Sequence, residues 1–173
     1  MKTEGLGRCW EDMPKGYRFR TVGRTITETD LVNFTATTGM VEVLFTDATY
    51  AERHAPGGGR IVPGALLFGL AEGLVIQATL QGTGLAFIKM ELDIKNPTVV
   101  GDTIHVEAEV LESRPTSASP DRGLVRTRNA IVNQHGRTVI VYTPLRLMTG
   151  RALLAGHWPD PDGEKTAENR HKL

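Results

Sequence analysis

The stretch "PGALLFGLAEGLVIQATLQG", residues 63 to 82, determines how the rest of this chain must be arranged. Proline suits the entrance of a helix, and the apolar residues that follow lie on nearly every side of that helix. Such a helix is predicted to be wrapped by other parts of the protein. Gly69 and Gly73 sit four residues apart in it, where they would let another backbone approach closely.

The residues after this helix predict a run of antiparallel strands. In "DTIHVEAEVLES" (102–113), apolar and polar residues alternate, which is typical of a strand with one buried face. Further strands are predicted at 85–97, 123–134 and 137–148, the last two joined by a tight turn, with a loop at 114–123. One buried helix followed by such strands predicts an α+β fold in which an antiparallel sheet wraps around one long apolar helix.

The segment before the apolar helix predicts a strand and a short helix. "YRFRTVGRTIT" (17–27) has the composition of a strand. "TETD" (27–30) follows as a capping box for a helix that contains Leu31 and Phe34, and Gly39 is expected to end that helix.

Composition limits the possible functions. The chain has 173 residues, enough for one domain with a substantial core. Its 20 basic and 20 acidic residues balance, which gives no electrostatic reason to expect binding to nucleic acid or to an anionic membrane. A single cysteine, Cys9, excludes an intrachain disulfide and a cysteine-rich metal site, and no metal is expected. The chain also lacks a signal-peptide pattern and a membrane-span pattern, so a cytoplasmic location is predicted.

The predicted domain organisation is simple. Residues 1–7 are read as an N-terminal tail, 8–150 as one domain, and 151–173 as a polar C-terminal tail that is expected to be mobile from His157 onward. Bare edges of the predicted sheet would favour aggregation. Pairing of two copies would cover them, so a homodimer is expected, with a dimer of dimers or a trimer of dimers left open.

Five stretches carry a family resemblance: "RCWEDMPKGYRF" (8–19), "GRTITETDLVNFTATTG" (23–39), "GGRIVPGALLFGL" (58–70), "NPTVVGDTIHVEAEVLE" (96–112) and "VRTRNAIVNQHGRTVIVY" (125–142). Across residues 8–149 the chain resembles the MaoC-like acyl-CoA hydratase and dehydratase family, which has the hotdog fold. The resemblance implies a dimer that binds acyl thioesters of CoA or of a carrier protein. It also implies addition or removal of water at an enoyl or 3-hydroxyacyl thioester, without a cofactor.

The chemical motif of that family, Gly-Asp-x-Asn-Pro-x-His, is altered in "GMVEVLFTD" (39–47). Gly39 matches, and the other four motif positions hold Met40, Glu42, Val43 and Phe45. In the family the Asp and the His handle water and move its proton. Met40 and Phe45 cannot exchange protons, although both would suit the lining of an acyl tunnel.

Two residues of the apolar helix are candidates for catalysis. The free N–H groups at Gly64 could hold a thioester oxygen as it gains negative charge, while Pro63 shapes the helix entrance without supplying a donor. Glu72 is a carboxylate in apolar surroundings, which is costly unless it is partnered or used as a base. It stands eight residues after Gly64, a spacing that resembles hotdog thioesterases. The alternative is a structural acid at a dimer interface, satisfied by hydroxyls or by an arginine.

Further polar residues allow two interpretations each. Glu42 is either a relocated base or a loop acid, and Asp47 is expected to cap "ATYAERH" (48–54). Arg60 could bind a CoA phosphate or form a surface ion pair. His54 could touch the nucleotide of CoA or lie at the surface, and His105 is expected to have no functional role.

Three functions follow from these residues, in order of preference. The first is a hydratase or dehydratase of the MaoC-like type. The second is an acyl-CoA thioesterase that uses Glu72. The third is a non-catalytic subunit that binds acyl-CoA or supports an active partner, which the residues at positions 40 and 45 favour.

Overall fold

The computed structural model describes residues 3–56 and 58–157. Its helices are a short 3-10 turn (Trp10–Asp12), α1 (Glu28–Thr38), α2 (Val43–Thr46), α3 (Ala48–His54), α4 (Gly64–Val75), a π segment (Ile76–Leu80) and α5 (Arg151–His157). Its strands are β1 (Arg18–Arg20), β2 (Arg24–Thr25), β3 (Gly84–Lys89), β4 (Leu92–Ile94), β5 (Thr103–Pro115), β6 (Arg122–Asn133), β7 (Thr138–Tyr142) and β8 (Leu145–Thr149).

Helix α4 and the π segment together occupy the predicted helical stretch. Six residues of α4 are buried: Leu66, Leu67, Leu70, Ala71, Leu74 and Val75. In the single chain the helix is not covered on every side, because Ala65, Gly69 and Ile76 form an exposed stripe. The helix is therefore wrapped on one side by its own sheet and is open along this stripe.

All eight strands belong to one antiparallel sheet. The main path runs β1-β5-β6-β7-β4, and β8 pairs with β6 on one side and with β3 on the other. The alternation predicted for β5 is confirmed, since Ile104, Val106 and Val110 are at most 1% exposed and belong to the core cluster around α4. The α+β arrangement of a sheet packed on one apolar helix is confirmed.

Two predicted strands are each bent in the middle. Residues 85–97 divide into β3 and β4, and 137–148 divide into β7 and β8. Both bends lie opposite each other, where the Thr143 N–H donates to the Glu91 carbonyl at 2.9 Å. Pro144 cannot donate to a ladder, so the pairing is interrupted at this point and the sheet changes direction.

The start of the chain also differs from the prediction. "YRFRTVGRTIT" forms two short strands, β1 and β2, that pair with different parts of β5. Helix α1 is confirmed, with the Thr27 and Asp30 capping box at its start and Gly39 in the left-handed conformation at its end (φ 70°).

Both predicted tails are structured near the domain. The N–H of Gly7 donates to the Gln81 carbonyl at 2.6 Å, so the N-terminal segment is fixed beside the end of the π segment. At the other end, residues 151–157 form α5, and Arg151 pairs with Asp12. The expectation of mobility beyond His157 concerns residues 158–173, which lie outside the described residues. No described helix has the length and apolar character needed to cross a bilayer.

Trp10 ties the N-terminal segment to the sheet, and this contact generates the first prediction. A Cβ atom at Gly123 of β6 would overlap the Trp10 indole. Gly123→Ala should therefore lower the free energy of unfolding by about 1 to 3 kcal/mol, because the bulky indole must move. The measurement is a urea denaturation curve.

Gly23→Ala is the matched control, because a Cβ there would approach no closer than 3.4 Å, to Thr103 Cγ2, which is an ordinary van der Waals contact. It should leave the free energy of unfolding within about 0.5 kcal/mol of the wild type. Equal stability of Gly123→Ala and the wild-type protein would contradict the proposed packing of Trp10.

Candidate functional site

The altered motif occupies the turn between α1 and α3. Gly39 ends α1, and Met40 follows it with 40% of its surface exposed. Phe45 lies on α2, is half-buried and packs against the core cluster. The two positions that hold the acid and the base in the family motif therefore have different surroundings here, one near solvent and the other against the core.

Both carboxylates of this segment cap short helices. Glu42 Oε2 accepts the Leu44 N–H at 2.6 Å at the start of α2. Asp47 Oδ1 accepts the Tyr50 N–H at 2.9 Å at the start of α3, so the expected cap at Asp47 is confirmed. Each carboxylate is exposed and accepts one backbone bond, which stabilises a helix start by about 1 kcal/mol.

Arg60 joins this segment to the rest of the site. Its guanidinium pairs with Glu28 at the start of α1 and also donates to the backbone carbonyl of Phe45. These two contacts hold α1 and α2 in fixed positions relative to the entrance of α4. The guanidinium is thus engaged within the chain, in line with the ion-pair interpretation of Arg60.

The start of α4 is positioned by a short antiparallel contact. Val62 N donates to the Thr98 carbonyl and Val100 N donates to the Arg60 carbonyl, so the entrance strand is fixed beside residues 98–100. Buried Pro63 then begins the helix, and a Cβ at Gly64 would meet Ile94 Cδ1 at 2.6 Å. Glycine at this position therefore permits close packing of the helix start on β4.

The first N–H groups of α4 are available to a ligand. Within residues 3–56 and 58–157, no hydrogen-bond acceptor is recorded for the N–H groups of residues 64 to 66. Such groups carry partial positive charge and are aimed outward from the helix start. The role predicted for them from the sequence, binding of a thioester oxygen, stays a prediction.

Glu72 is held in a buried ion pair. Arg146 Nη2 donates to both carboxylate oxygens at 2.6 and 2.8 Å, and the Tyr142 hydroxyl donates to Oε1 at 2.7 Å. Only 13% of the Glu72 side chain and 6% of the Arg146 side chain are exposed. All these contacts are within one chain, so an arginine and a hydroxyl satisfy the carboxylate, as in the structural interpretation.

Tyr142 is a hydrogen-bond donor in this cluster. Burial raises the pKa of its phenol, and the nearby Glu72 carboxylate raises that pKa further. The hydroxyl therefore keeps its proton across the physiological range. Asn129 lies opposite Tyr142 on β6 and is fully buried. Neither Nδ2 nor Oδ1 of its side chain makes a hydrogen bond of standard distance and angle with the described residues.

Arg146 and Tyr142 were not identified from the sequence. Both belong to "RTVIVYTPLRLM" (137–148), read only as a strand. Tyr142 ends β7 and Arg146 lies on β8, and on either side of the bend both side chains reach the Glu72 carboxylate of α4. An arginine at an inward position of an apolar strand was the available signal, because a buried arginine requires an acidic partner.

A cavity of about 260 Å³ opens beside this ion pair. Its lining comprises Glu72, Ile76, Leu80, Gly84, Leu85, Ala86, Phe87 and Arg146. The Arg146 guanidinium also stacks over the Phe87 ring, 5.2 Å from its centroid. The cavity thus has apolar walls and one charged but neutralised side.

The candidate residues therefore fall into two groups. Glu42 and Phe45 lie in the segment between α1 and α3, which Arg60 joins to the entrance of α4, whereas Glu72 belongs to the cluster with Arg146. Gly64 and Glu72 are separated by eight helical residues, about 12 Å along the axis. Within one chain the anion-stabilising helix start and the buried carboxylate do not meet.

The two candidate histidines, His54 and His105, lie outside both groups. The His54 ring packs at a tilt against the Tyr50 ring at the surface, with ring centroids 4.4 Å apart. His105 lies on the outer face of the sheet, where its Nε2 is 3.2 Å from Glu107 Oε1. Among the described residues, no group of three or more His, Cys, Asp or Glu side chains is placed to hold a metal ion.

Comparisons with known proteins agree with this architecture. The model of the MaoC like domain family matches residues 13–131. A MaoC-like dehydratase from Rhodospirillum rubrum is similar, with 28% identity and a TM-score of 0.72 over 84% of this chain and 99% of that one. The R-hydratase PhaJ1 from Pseudomonas aeruginosa shows 26% identity and a TM-score of 0.67 over 82% and 85% of the two chains. No curated protein matches the chain.

A longer relative identifies the fold. A Mycobacterium tuberculosis protein with a double hotdog fold matches at 20% identity and a TM-score of 0.71, over 91% of this chain and 46% of that one. The sheet packed on α4 is therefore of the hotdog class. Because the family match covers more than half of the sequence, this chain belongs to the MaoC-like domain family.

The buried ion pair generates the second prediction. Arg146→Met should lower the free energy of unfolding by about 3 to 5 kcal/mol, because Glu72 would keep a buried charge without its cation. The measurement is the free energy of unfolding from urea denaturation.

Arg18→Met is the control, since Arg18 pairs with Glu109 at the surface, with 75% of its side chain exposed. That variant should lose less than about 1 kcal/mol. Similar losses in the two variants would show that the Glu72–Arg146 pair is not a buried, structurally required contact.

Proposed function

We propose that this protein binds enoyl or 3-hydroxyacyl thioesters and interconverts them by hydration and dehydration. The observation that carries the proposal is the start of α4, where unpaired N–H groups lie beside the segment that holds the chemical motif in the family. The names of two similar structures, a MaoC-like dehydratase and an R-hydratase, support the same reaction class.

The helix start supplies the electrostatic part of the reaction. When the oxygen of water bonds to the β-carbon of an enoyl thioester, the electron pair of the double bond moves toward the carbonyl oxygen. N–H groups at residues 64 to 66 would stabilise that negative charge. Protonation of the α-carbon then completes the addition, and the reverse sequence removes water.

We propose Glu42 as the group that moves the proton. Its carboxylate is exposed, lies within the altered motif and is held by one backbone hydrogen bond. It could accept the proton of water as the new C–O bond forms and deliver that proton to the α-carbon. Glu72 is less suited to this role, because Arg146 and the Tyr142 hydroxyl already bind its carboxylate oxygens.

The main alternative is a non-catalytic acyl-thioester-binding subunit. It is favoured by Met40 and Phe45, which cannot exchange protons, and by the helix-capping role of Glu42. A thioesterase that uses Glu72 has less support, because Glu72 would have to leave both Arg146 and Tyr142 before acting as a base.

A homodimer is proposed as the working unit. Three apolar side chains of β3, Leu85, Phe87 and Ile88, are between 41% and 52% exposed, and Ile94 on β4 is 63% exposed. Bare strands with apolar side chains favour pairing with another chain. A second copy along β3 and β4 would cover these residues together with the open stripe of α4.

The third prediction separates the catalytic proposal from its alternative. Glu42→Gln should lower the rate of crotonyl-CoA hydration by about 10²-fold or more, because glutamine cannot accept the proton of water. The measurement is the loss of the enoyl absorbance under saturating substrate, together with the dissociation constant of butyryl-CoA.

Asp47→Asn is the matched control, since Asp47 also caps a short helix within the same segment. Its hydration rate should stay within a few-fold of the wild type. If the wild-type protein binds butyryl-CoA but hydrates no enoyl-CoA, the non-catalytic function is correct. In that case Met40→Asp combined with Phe45→His should create hydration, because it restores both motif side chains.

A further inference from the structure

The segment that holds the altered motif, residues 40–47, is joined to the entrance of α4 by one side chain. Within the part of the chain that the structure describes, the recorded hydrogen bonds of this segment have partners between residues 38 and 51, with one exception. In that exception Arg60 Nη2 donates to the Phe45 carbonyl at 2.5 Å. We propose that Arg60 is a positioning residue, which holds Glu42 at a fixed place relative to the N–H groups at the start of α4.

The backbone of Arg60 is itself anchored, four residues before Gly64. Its carbonyl accepts the Val100 N–H at 2.9 Å. The start of α1 is fixed to the same loop, since the Gly101 N–H donates to the Ile26 carbonyl at 2.8 Å. This loop therefore holds both α1 and the entrance of α4, and the Arg60 side chain extends the same frame to the motif segment.

A hydrogen bond fixes the motif segment in a way that apolar packing alone does not. The Phe45 ring packs against the core cluster, but such a contact has no preferred direction. The bond to the Phe45 carbonyl requires a short distance and a nearly linear N–H···O arrangement. The Phe45 N–H in turn donates to the Glu42 carbonyl at 2.9 Å, so the constraint at Phe45 reaches Glu42 within one turn.

The guanidinium group suits this task. Its Nη1 donates to Glu28 Oε1 at 2.5 Å while Nη2 donates to the Phe45 carbonyl, and both nitrogens belong to one rigid plane. Only 22% of the Arg60 side chain is exposed, and its Nε is buried with no acceptor among residues 3–56 and 58–157. A buried donor without an acceptor lowers stability. The geometry that Arg60 sets therefore explains its place here better than stabilisation does.

These contacts are made within one chain. Glu28, Phe45 and Arg60 are not among the exposed apolar residues of β3, β4 and α4 that the proposed homodimer would cover. The Arg60 Nε is already inaccessible to solvent in the single chain, so pairing of two copies does not supply its acceptor. The contact of Arg60 with α1 and α2 is therefore expected in the dimer as well.

The inference rests on the proposed hydration with Glu42 as the group that moves the proton, and kinetics separate it from the other role considered for Arg60. A positioning residue changes the rate of the bound substrate, whereas an arginine that binds a CoA phosphate changes the affinity. Misplacement of a reacting group by about 1 Å can lower a rate about 10²-fold. The test therefore compares kcat with the dissociation constant.

Arg60→Met removes both hydrogen bonds and keeps an apolar stem. Under saturating crotonyl-CoA, kcat should fall at least about tenfold, because Glu42 loses its fixed place. The dissociation constant of butyryl-CoA, measured by isothermal titration calorimetry, should stay within about threefold of the wild type. Hydrogen exchange of the Phe45 and Asp47 N–H groups, followed by NMR, should become at least about tenfold faster. These two groups donate within the motif segment, to the carbonyls of Glu42 and Val43.

Two further variants separate position from charge. Arg60→Lys keeps the positive charge without the planar fork, so kcat should still fall at least about threefold. An arginine that only binds a phosphate would be replaced by lysine with little loss. Arg24→Met is the matched control, because Arg24 pairs at 2.6 Å with Asp30, which lies on the same helix as Glu28. It should keep kcat and the exchange rates within about twofold of the wild type.

A lower kcat with unchanged affinity and faster exchange in Arg60→Met supports the inference. A raised dissociation constant with unchanged kcat overturns it, assigns Arg60 to the CoA phosphate and leaves the proposed hydration standing. A lower kcat without faster exchange also overturns it, because Arg60 would then act on the substrate directly. If the wild-type protein binds butyryl-CoA but hydrates no enoyl-CoA, the proposed reaction is wrong and the inference is wrong with it. Should Arg60→Met fail to fold, Arg60→Lys decides by the same measurements.

Discussion

Burial of one apolar helix is the constraint on which the rest of this structure depends. Helix α4 has too many apolar residues to lie at a surface, so the sheet must curve around it. The curvature is achieved by the paired bends at Met90–Glu91 and Thr143–Pro144, where Thr143 N–H still bonds to the Glu91 carbonyl. Beyond the bend, β8 runs beside the second half of α4. This path brings Arg146 to Glu72, so the same geometry that covers the helix also neutralises its one carboxylate.

The fold could be predicted from local pattern because its main elements are signalled by periodicity and by caps. The limits of α1 follow from the Thr27 and Asp30 capping box and from Gly39, and α4 follows from its apolar run after Pro63. The bends could not be placed, since a strand pattern carries no information about where two neighbouring strands turn together. The exposed stripe of α4 was also missed, because helical periodicity shows that a face is apolar and not which molecule covers it.

The candidate site was less predictable because its contacts are between residues far apart in sequence. Asp47 as a cap depends only on the next three residues, and that prediction is confirmed. The partner of Glu72 lies 74 residues away in the chain, and the residues around Glu72 were compatible both with a paired acid and with a free base. The position of β8, which brings Arg146 to Glu72, decides between these two interpretations. The sequence alone shows that the two proton-transferring side chains of the motif are replaced. It does not show that Met40 lies near solvent while Phe45 packs against the core.

The position of Arg146 also determines where chemistry can take place. Arg146 and the Tyr142 hydroxyl both bind the Glu72 carboxylate, so within the single chain this carboxylate is a fixed polar group rather than a free base. The reacting position proposed at Gly64 lies about 12 Å from Glu72 along α4. A single apolar helix thus carries the proposed thioester site at its start and a neutralised ion pair about two turns further along.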